Sequence, residues 1–200
     1  MAFIVSVDYE SFRKAEDIVF KEANAVEKIH NDLAIFGEPF KSEVSREIVN
    51  YAKSVVENEW VEINHSKPHN SADKLLERIR VHIYTYEPKT EREKFFYPFL
   101  LENYRTMAEM RIDRLIMSGS HLPVVLYAFM ITGYFITVIF SFFFSTLHTK
   151  VQIAMTSLLS LSFMLILFLI ITMDLPFSGD NSVSSEPIET VIKHINIPHP

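Results

Sequence analysis

Between Leu115 and Met173 the chain carries one formal charge, Lys150, in a stretch otherwise dominated by Leu, Ile, Phe, Val and Met. The hydrocarbon core of a bilayer is ~30 Å thick, and a helix rising ~1.5 Å per residue needs ~20 residues to cross it. Leu122 to Leu147 and Val151 to Met173 both reach that length, and no soluble core needs two adjacent apolar segments so long. The link His148-Thr149-Lys150 leaves room only for a tight turn, so the pair is predicted to be a transmembrane helical hairpin over residues 118–173. Neither run is expected to be a signal peptide, because both lie in the C-terminal half, and Met1 to Val7 is apolar but too short to span.

Basic residues set the predicted orientation. Arg105, Arg111 and Arg114 precede the first span, Lys150 alone marks the turn, and the segment after Met173 is mainly acidic until Lys193. Retention of positive charge on the cytoplasmic side then places both termini inside and the turn outside. The expected location is a bacterial inner membrane, crossed twice.

Residues 1–117 are predicted to form a cytoplasmic helical domain. Phe12, Ala15, Val19, Ala23, Val26, Ile29, Leu33 and Phe36 recur at three- and four-residue steps, one face of a long amphipathic helix. Gly37-Glu38-Pro39 stops it. A second helix from about Pro39 to Ile63 buries Val44, Ile48, Tyr51 and Val55. A third, about Ser71 to Tyr86, carries Leu75, Ile79, Ile83 and Tyr86 on one face. Thr90 and Glu93 form a T-x-x-E capping box that opens a fourth helix running to about Met117. Ser184-Ser185-Glu186-Pro187 starts a short final helix within the cytoplasmic segment 174–200. No strand pair is evident, and the fold class is all-α.

Composition removes several chemistries. The net charge of −6 gives no basis for nucleic-acid binding, and the absence of cysteine removes disulfides, thiolate metal sites and thiol nucleophiles. Four glycines leave little scope for phosphate-cradling loops. No nucleophile–base–acid set and no cofactor motif is visible, so the chain is expected not to be an enzyme and to carry no cofactor. Neither span holds an Asp, Glu, Lys, Arg or His in its interior, which argues against proton-coupled transport through this segment.

Four groups of residues are candidates for function. Gly133, Thr137, Ser141 and Ser145 form a small-residue stripe at four-residue spacing, suited to close helix packing or to a hydroxyl face lining a pore. Arg105, Arg111 and Arg114 at the membrane entry fit anionic headgroups, or an electrostatic funnel drawing anions toward a vestibule. Asp174, Asp180 and Glu186 make an oxygen-rich patch, a weak candidate for a hard cation whose spacing matches no EF-hand; capping roles account for it more simply. His65 and His69 flank a proline in a loop, and His194 and His199 lie near the tail.

The fourth group is a motif. Asp174-Leu175-Pro176-Phe177-Ser178-Gly179, followed by Val183 and Ser184-Ser185-Glu186-Pro187, resembles the signature that closes the second C-terminal span in the bestrophin-like family of integral membrane proteins. Asp174, Pro176, Phe177 and Gly179 carry that likeness. Tyr51…Glu59-Trp60, after the helix bearing Glu22-Ala23-Asn24-Ala25, is similar to the family's Tyr…Glu-Trp segment. Arg111…Arg114-Leu115…Leu122-Pro123 resembles the entry to its first C-terminal span. The resemblance implies a cytoplasmic helical domain joined to a membrane hairpin, a homo-oligomer, and conduction of chloride or another anion by analogy with bestrophin channels. Members of that family carry a further hydrophobic hairpin upstream, which this chain is expected to lack, with Met1 to Val7 as the remnant of its end. The alternative expectation is a non-conducting membrane-anchored scaffold whose helical domain binds a partner protein.

Overall fold

A computed structural model describes residues 2–64, 71–120, 122–143, 149–179 and 182–195. The described residues are helical with no strand: α1 (Ala2–Asp32), α2 (Phe40–Ser54), α3 (Trp60–Asn64), α4 (Asp73–Tyr84), α5 (Glu91–Ser118), α6 (Val124–Phe143), α7 (Thr149–Asp174) and α8 (Glu186–Ile195). A 3-10 turn over Leu33–Ile35 ends α1, and a π-helical turn over Val55–Glu59 joins α2 to α3. The chain divides into two compact units. One holds residues 13–119 and 177–200; the other holds residues 1–12 and 120–176. The first twelve residues group with the hairpin, and the C-terminal segment groups with the helical domain.

In the helical unit, α4 packs on α2 and α5, and α8 packs on α2. Ala15, Val19, Ile29, Val44, Ile48, Ile79, Ile83, Leu100 and Met107 are fully buried, which is the predicted periodic face of each helix. Burying a side chain of this size contributes about 1.5–3 kcal/mol. Local signals fix the ends. Thr90 Oγ1 accepts from Glu93 N–H at 3.1 Å, and Glu93 Oε2 accepts from the N–H of Thr90 at 3.3 Å and of Lys89 at 2.6 Å, so the capping box forms. At the far end of α5 the chain stops on Gly119, whose N–H reaches Ile116 O at 3.2 Å. The Glu38–Pro39 bond between α1 and α2 is cis.

The hairpin unit is built differently. Its helices α6 and α7 have mean hydropathies of 2.0 and 2.5 and are long and apolar enough to cross a membrane. The first span starts two residues after its expected bound, at Val124, and the second extends past its expected bounds at both described ends. Thr149 and Lys150 already belong to α7, while residues 144–148, with the rest of the expected turn and Ser145, lie outside the described residues. Tyr134 stacks on Phe163 with ring centroids 4.4 Å apart, and its hydroxyl meets Ser160 Oγ at 2.7 Å. Gln152 Nε2 donates to Ser141 O at 2.9 Å. Most other large side chains of both helices face outward, Phe129 and Phe143 among them. An apolar exterior on paired helices of this length associates with a membrane.

Candidate functional site

The sequence scatters four charged residues across the helical unit, and the fold collects them. Glu22 on α1, Glu59 at the end of the π-helical turn, and Arg111 and Arg114 on α5 are all buried. Arg114 Nε donates to Glu22 Oε2 at 2.7 Å, and its Nη2 donates to Glu22 Oε1 at 3.1 Å and to Glu59 Oε2 at 3.0 Å. Arg111 Nε donates to both oxygens of Glu59, at 3.1 and 3.3 Å; its Nη2 donates to Glu59 Oε1 and, at 2.6 Å, to Asp73 Oδ1. Tyr51 OH donates to Glu22 Oε1 at 2.7 Å, and Ala72 N–H reaches Glu59 Oε1 at 3.4 Å. Trp60 lies over Arg114, with the guanidinium carbon 5.3 Å from the ring, and Phe177 meets Trp60 edge-on at 5.9 Å.

Each member reaches the cluster by helix register. Leu100, Tyr104, Met107, Arg111 and Arg114 follow one another at steps of four and three, so the two arginines continue the core face of α5. Glu22 likewise continues Ala15 and Val19 on α1. The π-helical turn adds one residue to the local repeat, and Glu59 and Trp60 leave it buried. Burial drives the Tyr51 pKa well above its ordinary value, and the Glu22 charge adds to it. Burial opposes the charge on Arg114, but Glu22 foremost and Glu59 after it reverse that and raise its pKa. Two carboxylates and two guanidinia thus neutralise one another out of contact with solvent. Such a cluster fixes the positions of α1, α5 and the π-helical turn.

This corrects one expectation. Arg111 and Arg114 are committed to carboxylates and are not available to lipid headgroups or to anions in solution. Of the three basic residues at the entry, Arg105 alone is exposed. Charge and proximity to the apolar run pointed outward; the shared spacing with Leu100 and Met107 was the signal that pointed inward.

The exit motif has a physical role at each described position. In the hairpin unit, Asp174 Oδ1 accepts from Leu122 N–H at 2.6 Å and Oδ2 from Tyr127 OH at 2.8 Å. The carboxylate at the end of α7 therefore holds the entry to α6, where the helix dipole also favours negative charge. Pro176 is buried. In the helical unit, Phe177 is buried against Trp60, and Gly179 adopts φ +87°, a left-handed conformation that side chains disfavour. Glu186 is exposed at the first turn of α8, where its N–H reaches Ser184 Oγ at 3.1 Å. Asp180, His65 and His69 lie outside the described residues. Among the described residues no three metal-ligating side chains stand together.

The small-residue stripe is open within a single chain. Gly133 and Thr137 are exposed and border a groove of about 220 Å³ with Leu159, Ser162, Phe163 and Ile166. Thr137 Oγ1 donates back to Gly133 O and Ser141 Oγ to Val138 O, each at 2.7 Å, so both hydroxyl protons are satisfied within α6.

A family model described as the bestrophin-like domain matches residues 1–188. No curated protein and no solved structure matches the chain.

Proposed function

This chain belongs to the bestrophin-like family, and from that premise we propose that it is a non-catalytic subunit of a homo-oligomeric membrane assembly that conducts chloride or another small anion. The observation that carries the proposal is the open Gly133/Thr137 face of α6. Small residues at four-residue spacing allow close approach of another helix, and hydroxyls supply polar contacts without fixed charge. The absence of formal charge from the interior of both spans supports passive conduction over proton coupling.

The proposed topology keeps both termini in the cytoplasm of a bacterial inner membrane, because the insertion machinery meets Arg105, Arg111 and Arg114 before the helical unit folds. The chain has no cysteine, so a single cysteine in place of Lys150 or of Ser184 gives a clean accessibility probe. The Lys150 probe is expected to label from outside and the Ser184 probe only after permeabilisation. Function is tested by reconstituting purified protein in liposomes, with chloride flux and subunit stoichiometry measured on the same sample. A closed oligomer with flux is the expected outcome; a non-conducting monomer overturns the proposal.

A second reading, a membrane-anchored scaffold, is favoured by one feature. Phe95 and Phe99 on α5 are 66% and 54% exposed and border a surface depression with Phe96, Lys28, Asp32 and Asn103. Aromatic residues are enriched where proteins dock. Normal insertion without flux, together with a partner lost on Phe95→Ala/Phe99→Ala substitution, would favour this reading.

A further inference from the structure

Asp8 differs from the other buried acids of the chain. It lies on the second turn of α1 and is 4% exposed, yet its Oδ2 has no hydrogen-bond partner. Glu22 and Glu59 meet guanidinium groups; the charged group facing Asp8 is a second acid, Asp174 on α7. From α6 the titratable neighbour is Tyr127, whose hydroxyl is already given to Asp174. On α1 itself Tyr9 and Glu10 point to solvent. No cation is paired with Asp8 among the described residues. A buried carboxylate in this setting has one inexpensive way to lose its charge, which is to bind a proton.

We propose that Asp8 is a proton-operated switch in the hairpin unit: protonated, it lets the start of α1 pack with the base of α6 and α7, and ionised, it repels Asp174 and loosens that packing. The direction follows from linkage. Burial, and after it the Asp174 charge, pushes the Asp8 pKa up from 3.8 to about 6. Between those values the packed state binds more protons than the released state, so packing is strongest in acid, weakens as pH rises toward 6, and levels off above it. The switch concerns the N-terminal turns of α1 and is independent of whether the assembly conducts.

The test is hydrogen exchange at residues 5–12 in the full chain in lipid nanodiscs, from pH 5 to pH 8, corrected for intrinsic exchange rates. Protection of the wild type is expected to fall about tenfold between pH 5 and pH 7 and then level off. Asp8→Asn should hold the acid level of protection throughout, while Asp174→Asn should shrink the response and move its midpoint down. Glu10→Gln, at an exposed position, should leave the response unchanged. Protection that does not vary with pH in the wild type, or that varies equally in Asp8→Asn, overturns the proposal. So does full protection at pH 7.5 on adding sodium, potassium or calcium at fixed pH, which would make the site one for a metal cation instead.

Discussion

In the helical unit two carboxylates and two guanidinia sit inside the fold, each hydrogen-bonded to an opposite charge. In the hairpin unit the spans carry no formal charge between Val124 and Met173 except Lys150, and their hydroxyls bond mostly to their own helices. The contrast shows two ways to build an interior away from solvent. The helical unit buries charge and pairs it with opposite charge; the spans of the hairpin unit keep charge to their ends, at Asp174 and Lys150, and can leave their outer face to lipid or to other helices. The first arrangement is intolerant of losing one member. The second tolerates single changes in its own fold and concentrates their effect on what it meets.

The sharpest way to break this comparison is to unbalance the cluster. Glu59→Ala leaves Arg111 and Arg114 buried without their shared acceptor and is expected to cost about 3–5 kcal/mol, since an uncompensated buried charge is far costlier than a missing pair. Trp60, the sole tryptophan, lies against Arg114 and reports the loss directly by fluorescence during denaturant unfolding in detergent. The companion variant removes charge in balance. Glu22→Leu, Tyr51→Phe and Arg114→Met together should cost less than Arg114→Met alone. If Glu59→Ala proves silent, the cluster is not what holds the helical unit.

At the hairpin the largest effect is expected at Asp174. Asp174→Ala strands the Leu122 N–H and the Tyr127 hydroxyl and should cost about 1–3 kcal/mol, whereas Tyr127→Phe should cost about 0.5–1.5 kcal/mol. Thermal unfolding of helical circular dichroism in micelles measures both. A cost at Asp174 as large as that at Glu59 would erase the difference drawn between the two units.

The same difference explains what the sequence disclosed. The spans, the capping box at Thr90, the stop at Gly37-Glu38-Pro39 and the family likeness were legible because each rests on local chemistry or a long apolar run. The start of α1 was not, because Asp8 occupies a buried position and interrupts the apolar period, so the helix could be followed only from Phe12. The π-helical turn shifts the repeat by one residue and leaves no local mark. The buried cluster was hidden for another reason. Glu22, Glu59, Arg111 and Arg114 are separated by long stretches of chain, and pairing them requires the tertiary fold. The motif residues could be noticed as a set, but their meeting place could not.

A smaller effect returns to the helical unit. Thr90→Ala removes the side-chain acceptor for Glu93 N–H and should cost about 1 kcal/mol, read again from Trp60 fluorescence. Thr90→Ser retains the acceptor and should recover most of it. The reciprocal bonds from Glu93 to Lys89 and Thr90 remain in Thr90→Ala, which is why the expected loss stays well below that at the charged cluster.

The smallest effect on a single chain is expected at Gly133, and it is the most informative about the hairpin. A Cβ added there meets nothing within 4 Å, and glycine is a poor helix former, so Gly133→Ala should be neutral or stabilising by up to about 1 kcal/mol. Gly133→Leu starts from the same open Cβ position and is expected to fill the groove beside Thr137 and Phe163 where another helix would approach. Unfolding of detergent-solubilised protein should then change little for either variant, while subunit stoichiometry by mass photometry should fall for Leu and hold for Ala. Loss of assembly without loss of stability would locate the helix contact on this face. An unchanged oligomer in Gly133→Leu would mean that the open stripe faces lipid, and that the two units differ only in how their own interiors are satisfied.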